Sequence, residues 1–189
     1  MELKELEEIV ENMILQLSYP GLDARSLNIA LPMAANEAPV KLYVHALNSE
    51  SINVKLIALR WFQNRAGAAK HHIKPIANLL ENADPWIRKE AIKTIEITKS
   101  SDSNLILKIC ELLKDDDHIV RMEAAKSLGN LAKEIPKTND LNNEKKSASI
   151  NALKETVVNS LKGATDDSVQ EVRRKAIKAL RKIGAFSAS

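Results

Sequence analysis

The chain has 189 residues, 44% of them apolar but only 3% aromatic, with 28 basic against 25 acidic side chains and one cysteine. So few rings, with five Gly and six Pro, fit a core of Leu, Ile, Val and Ala between helices better than a β-sandwich. A lone Cys110 rules out an intramolecular disulfide and offers no Cys-based zinc set, and apolar runs such as Ile29 to Ala35 fall far short of the roughly 20 residues that span a bilayer.

From the N-terminus, Leu3, Leu6, Ile9, Val10, Met13, Ile14 and Leu17 recur at helical spacing, which leaves Glu2, Glu5, Glu8 and Glu11 outward. Residues 1–37 are expected to form atypical capping helices, the second a degenerate one from Asp23 to Asn36 interrupted near Pro32. The start is acidic where a secretory leader would be basic, so a cytoplasmic chain is expected. Residues 1–17 hold one Lys against five Glu, a net of −4, so the remainder carries +7. A basic body of this kind favours acidic partners.

Beyond residue 38 the sequence repeats itself. HALNSESINVKLIALRWF from His45, NLLENADPWIRKEAIKTI from Asn78 and ELLKDDDHIVRMEAAKSL from Glu111 superpose without a gap at a spacing of 33. An apolar–basic pair recurs as Val54-Lys55, Ile87-Arg88 and Val120-Arg121, followed by Ala58, Ala91 or Ala124 and then by Phe62, Ile95 or Leu128. VQEVRRKAIKAL supplies a fourth copy, with Val172-Arg173, Ala176 and Leu180, displaced by 52. Each copy reads as two amphipathic helices, the second opening on a capping Asp such as Asp84, whose following Pro85 suits the first helical position. The recurrent Ala lets neighbouring helices approach to about 8 Å. Repeats are expected over 38–66, 71–99, 103–134 and 150–184, with a polar loop over 135–149.

The pattern apolar-Arg-x-x-Ala-x-x-x-Leu after an Asp-containing turn, clearest from Lys114 to Ala132, resembles HEAT repeats, in the short form named after phycobilisome lyases. That resemblance implies an all-α, right-handed armadillo-type solenoid of about four to five hairpins in a single domain. It also implies a structural ladder between adjacent units, formed here by Lys55, Arg88, Arg121 and Arg173 with carboxylates in the turns at Asp84, Asp117, Asp166 and Asp167.

Five residues beyond each ladder position stand Arg60, Lys93, Lys126 and Lys178, where related repeats often carry Glu. At the spacing of packed helices these four would form a basic stripe ~30 Å long, suited to an acidic protein segment and diluted by Glu90, Glu96 and Glu123. Trp61 fills a slot held by Thr94, Ser127 and Ala179 in the other copies and Trp86 one held by Asn53, Ile119 and Glu171, neither of which demands a large ring. An indole there can anchor a partner. The competing expectation is that Trp61 packs against the irregular 22–39 segment and Trp86 covers a repeat junction.

Catalytic signatures are missing from the sequence. His45, His71, His72 and His118 form no ligand pair, Asp115-Asp116-Asp117 lacks the Gly and distal Glu of a calcium loop, and Cys110 aligns with apolar residues. No catalytic residue, metal or cofactor is assigned. The expected function is a non-enzymatic scaffold that binds an acidic protein partner through a concave basic face, by Arg60, Lys93, Lys126, Lys178 and Trp86. Two alternatives come from the resemblance: nucleic-acid backbone binding, as in the HEAT-like alkylpurine DNA glycosylases, and a bilin lyase or tetrapyrrole chaperone.

Overall fold

The computed structural model describes residues 40–136 and 144–185, together with Lys4, Glu5 and Glu8, which are helical and exposed. The rest of the expected N-terminal cap, including Asp23 to Asn36, lies outside the described residues. Among those described there is no strand. Unit 1 consists of α1 (Val40–Ala46) and α2 (Ile52–Gln63). Unit 2 holds α3 (Ala66–His71), α4 (Ile73–Asn78) and α5 (Pro85–Ile97). Unit 3 pairs α6 (Ser103–Glu111) with α7 (His118–Leu131), and unit 4 pairs α8 (Glu144–Gly163) with α9 (Gln170–Lys182). The second helices α2, α5, α7 and α9 touch in that order, and each packs on the first helix of its own unit. This is an all-α solenoid.

The register read from the sequence recurs in the packing. Ala58, Ala91, Ala124 and Ala176 are fully buried, as are Phe62, Ile95, Leu128 and Leu180. α7 and α9 approach closely, and a Cβ on Gly129 would stand 2.7 Å from the Cβ of Ala179. Only glycine lets the two backbones meet there. A short 3-10 turn follows the first helix at Leu79–Glu81, Leu112–Lys114 and Ala164–Asp166, in the same phase. Each turn ends on a residue whose side chain accepts a backbone N–H two residues on: Asn82 from Asp84, Asp115 from Asp117 and Asp167 from Val169, at 3.0, 2.9 and 2.8 Å. Ser49 does the same for Ser51 in unit 1, at 3.1 Å. These side chains stop one helix and aim the next.

Two boundaries differ from expectation. Unit 2 opens with the additional α3, separated from α4 at His72 (φ −111°, ψ 32°). Pro75 accounts for the break, since it has no N–H for the His71 carbonyl and its ring would crowd that oxygen. The loop expected over 135–149 also differs at its far end, where α8 already starts at Glu144. Its Glu favours the positive helix start, and Ile150, Leu153, Val157 and Leu161 anchor one face in the core.

Candidate functional site

The ladder cations hold their own turn and reach into the next unit. Arg88 donates from Nη1 to the carbonyls of Asn82 and Ala83 at 2.8 and 2.9 Å, while its Nε and Nη2 form a two-point pair with Asp115 of unit 3 at 2.8 and 2.7 Å. Arg121 repeats this on the carbonyls of Asp115 and Asp116, and its Nε and Nη2 reach Asp167 of unit 4 at 2.7 and 3.1 Å. The hydrogen bond from Arg121 holds the Asp167 carboxyl below the usual range against the opposing effect of burial, helped by the Val169 N–H. Arg173 clamps the carbonyls of Asp167 and Ser168 in the same way.

The carboxylates of the ladder are therefore Asp115 and Asp167, and the assignment to Asp84 and Asp117 is corrected. Asp84 and Asp117 are spent as helix caps. Asp84 Oδ1 accepts from the N–H groups of Trp86 and Ile87, and Asp117 Oδ1 from Ile119. A side chain satisfying helix-start donors points into its own helix and away from the neighbouring unit. Lys55 faces a different turn: the residue at the ladder position of unit 2 is the neutral Asn82, and no charge pair forms among the described residues.

The four stripe cations fall into two kinds. Lys93 Nζ lies 3.2 Å from Glu90, and Lys126 Nζ lies 2.7 Å from Glu123 and 3.8 Å from Glu96. Glu90 and Glu123 are themselves buried, at 5% exposure each, so these lysines close over buried carboxylates. Burial works to raise the Glu90 carboxyl, but the Gln63 hydrogen bond and the Lys93 charge outweigh it and hold it below its ordinary value. Burial likewise opposes the Lys126 ammonium, yet the bond and charge of Glu123 with the charge of Glu96 raise it overall. Arg60 and Lys178 are exposed, with no ion-pair partner among the described residues. The middle of the stripe is neutralised.

Between the stripe and the helix C-termini runs a hydrogen-bonded polar seam, whose Gln63, Thr94, Ser127 and Asn130 had no expected role. Gln63 Nε2 donates to Glu90 Oε2 at 2.8 Å and to Thr94 Oγ1 at 3.2 Å. One unit on, Glu96 accepts from Ser127 Oγ and from Asn130 Nδ2, and Lys182 donates to Asn130 Oδ1. A cleft of 460 Å³ opens beside this seam, lined by Glu96, Lys99, Asn130, Lys133 and Lys182 among others. An acid three residues before the two middle stripe lysines, Glu90 before Lys93 and Glu123 before Lys126, with Lys175 in that place before Lys178, was the sequence signal for the neutralised middle.

The two indoles part company. Trp61 is 6% exposed, stacked on Tyr43 with ring centroids 4.3 Å apart and edge-on to Phe62 at 5.1 Å, while Arg65 covers it at 4.4 Å. It belongs to the core of unit 1. Trp86 is 53% exposed at the start of α5, with Lys89 Nζ 4.4 Å above its ring, and so does not close a repeat junction. Cys110 is buried, which pushes its thiol up to about 11. No group of three His, Cys, Asp or Glu among the described residues could hold a metal ion. No helix among them is long and apolar enough to cross a membrane.

A family model described as HEAT repeat matches residues 105–135, the α6–α7 hairpin. Among solved structures, an engineered protein from the Northeast Structural Genomics Consortium aligns over 93% of this chain and 96% of its own at 20% identity, with a TM-score of 0.43. A designed armadillo repeat protein in complex with the peptide (KR)4 aligns over 92% and 99% at 20% identity, with a TM-score of 0.42. No curated protein matches. The class that the fold defines is an α-solenoid, with one hairpin that matches the HEAT-repeat model. Such solenoids commonly mediate protein–protein interaction through extended surfaces.

Proposed function

We propose that the chain is a non-enzymatic scaffold that binds an acidic segment of a protein partner along its row of second helices, with its strongest hold at α9. One observation carries this reading. Arg173, Arg174, Lys175, Lys178, Arg181 and Lys182 share α9 with a single acid, Glu171, whereas the stripe lysines of α5 and α7 close over buried glutamates. Lys178 is therefore the stripe cation with most charge to offer, with Arg60 at the far end and Trp86 as an apolar contact. Charges of this kind steer encounter and select partner sign.

A fluorescent oligoglutamate peptide titrated into the protein tests it. Lys178→Glu combined with Arg174→Glu is expected to weaken binding about tenfold or more, and Lys93→Gln to change it less than about twofold. Equal losses from the two variants would overturn the emphasis on α9. Tighter binding of random duplex DNA with a steep fall in salt would move the reading to nucleic-acid backbones.

A further inference from the structure

Gln63 fixes which sides of α2 and α5 face each other. Its amide reaches Glu90 and Thr94, so the stripe of Ile52, Leu56, Leu59 and Gln63 on α2 stands against the stripe of Trp86, Glu90 and Thr94 on α5. Deep in this junction Leu59, Glu90 and Thr94 are buried. At the helix starts the same two stripes come to the surface. There Leu56 is half-buried, and Ile52 and Trp86 are 45% and 53% exposed.

The equivalent positions of the later junctions are mixed in character: Pro85 and Lys89 against Ile119, then His118 and Met122 against Glu171. An apolar mouth therefore opens at the first junction. Lys89 stands over the indole at 4.4 Å and beside Glu90 Oε1 at 3.4 Å, which holds the ring against its own helix on the exposed side. Apolar surface and unpaired charge lie toward opposite ends of the row of second helices, since Lys178 sits on α9. From the mouth to α9 is two to three helix spacings, about 20–25 Å, which an extended chain covers in about six to eight residues. Exposed Arg60, one turn beyond Leu56, and Lys89 place positive charge beside the mouth as well.

We infer that the mouth formed by Ile52, Leu56 and Trp86 docks one large apolar side chain of an acidic partner segment, whose carboxylates about six to eight residues away reach Lys178 on α9. The inference rests on the acidic-segment reading and adds to it a side chain and a spacing. The surrounding cations select against a basic segment, and the exposed indole and isoleucine select for a ring or a branched aliphatic chain. Residues 1–17 of the chain itself are acidic and rich in Leu and Ile. Lys4, Glu5 and Glu8 are exposed, however, whereas a segment closed over α9 would have its glutamates covered.

Two fluorescent peptides titrated into the full chain test this. Both carry four glutamates and a Gly/Ser spacer of six residues, ending on Phe in one and Ser in the other, and each is made in both chain directions. In one direction Phe is expected to tighten binding about fivefold or more. Trp86→Ala and Ile52→Asn should each remove most of that gain while changing the affinity of the Ser peptide less than about twofold, and a spacer of one residue should remove it too. Arg174→Glu with Lys178→Glu should weaken both peptides alike. The inference is overturned if Phe and Ser bind equally in both directions, or if the Phe gain survives both mouth variants or the short spacer. In those cases the acidic-segment reading stands as long as Arg174→Glu with Lys178→Glu weakens binding; if neither peptide binds, both fall. Glu5→Gln with Glu8→Gln should leave the ratio of the Phe and Ser affinities unchanged. A several-fold rise in that ratio would assign the mouth to residues 1–17 of this chain or of a second copy and would also overturn the inference.

Discussion

The junction between units 1 and 2 is built differently from the two that follow. At the later junctions an arginine fork closes on an aspartate, Arg88 on Asp115 and Arg121 on Asp167. At the first, Lys55 meets a turn whose Asx residue is the neutral Asn82, and the contact is made by Gln63 reaching Glu90 and Thr94. Unit 1 compensates internally, with the chain's aromatic cluster of Tyr43, Trp61 and Phe62. The stack therefore does not require a charged rung. What it requires is the turn, whose Ser49, Asn82, Asp115 or Asp167 accepts the same backbone N–H in all four units. The carboxylate adds a second role to a residue already needed for the bend.

The largest effect should come from breaking unit 1 where its rings carry it. Trp61→Ala is expected to cost about 3–5 kcal/mol, read as a fall in the urea midpoint. Trp61→Phe should cost much less, because the indole N–H is buried with no partner among the described residues and its loss removes an unsatisfied donor.

Next in size is a rung. Asp167→Asn should cost about 2–3 kcal/mol, since Arg121 would keep its place with one charged partner gone, and Asn82→Ala at the first junction should cost about 1 kcal/mol, for the turn bond alone. The two differ further with pH. The folded Asp167 carboxyl lies below its unfolded value, so its contribution is complete above the ordinary aspartate range and is lost as pH falls through the depressed folded value. Denaturation curves should therefore show the parent losing stability more steeply than Asp167→Asn at the acid end. Equal slopes would contradict the rung.

Much of this was legible in the sequence, and the misses have physical causes. The 33-residue phase, the buried alanines, the Pro85 helix start and the ladder cations all follow from side chains that do the same work in each copy. Asp167 stood among the expected turn carboxylates, whereas Asp84 and Asp117 were misplaced because they are carboxylates in the right turn. Their register, however, is Ser51 and Val169 in the other copies. The position six residues before each cation is Ser, Asn, Asp and Asp, an acceptor in every copy, and that was the available signal. The stripe was overread for a similar reason: a lysine counted as one charge looks available until Glu90 and Glu123 are placed beneath it. The early start of α8 was hidden by polar residues that a long helix tolerates on its exposed side.

Smaller still are the caps. Asp84→Ala and Asp117→Ala should each cost about 1 kcal/mol by thermal melting, with the two alike because neither carboxylate reaches another unit. A loss as large as that of Asp167→Asn would return these residues to the ladder.

The central claim is that Lys93 and Lys126 inside the stack are committed to glutamates of their own chain, whereas on α9 Arg174 and Lys175 pair with Glu171 and Lys178 has no ion-pair partner among the described residues. Limited acetylation followed by mass spectrometry measures this directly, residue by residue, on the protein alone. Lys126, held over Glu123 and Glu96 with its ammonium favoured, should react several-fold more slowly than Lys178, with Lys93 also slower. If Lys126 and Lys93 react as fast as Lys178, the stripe is uniform and the account of its divided charge is wrong.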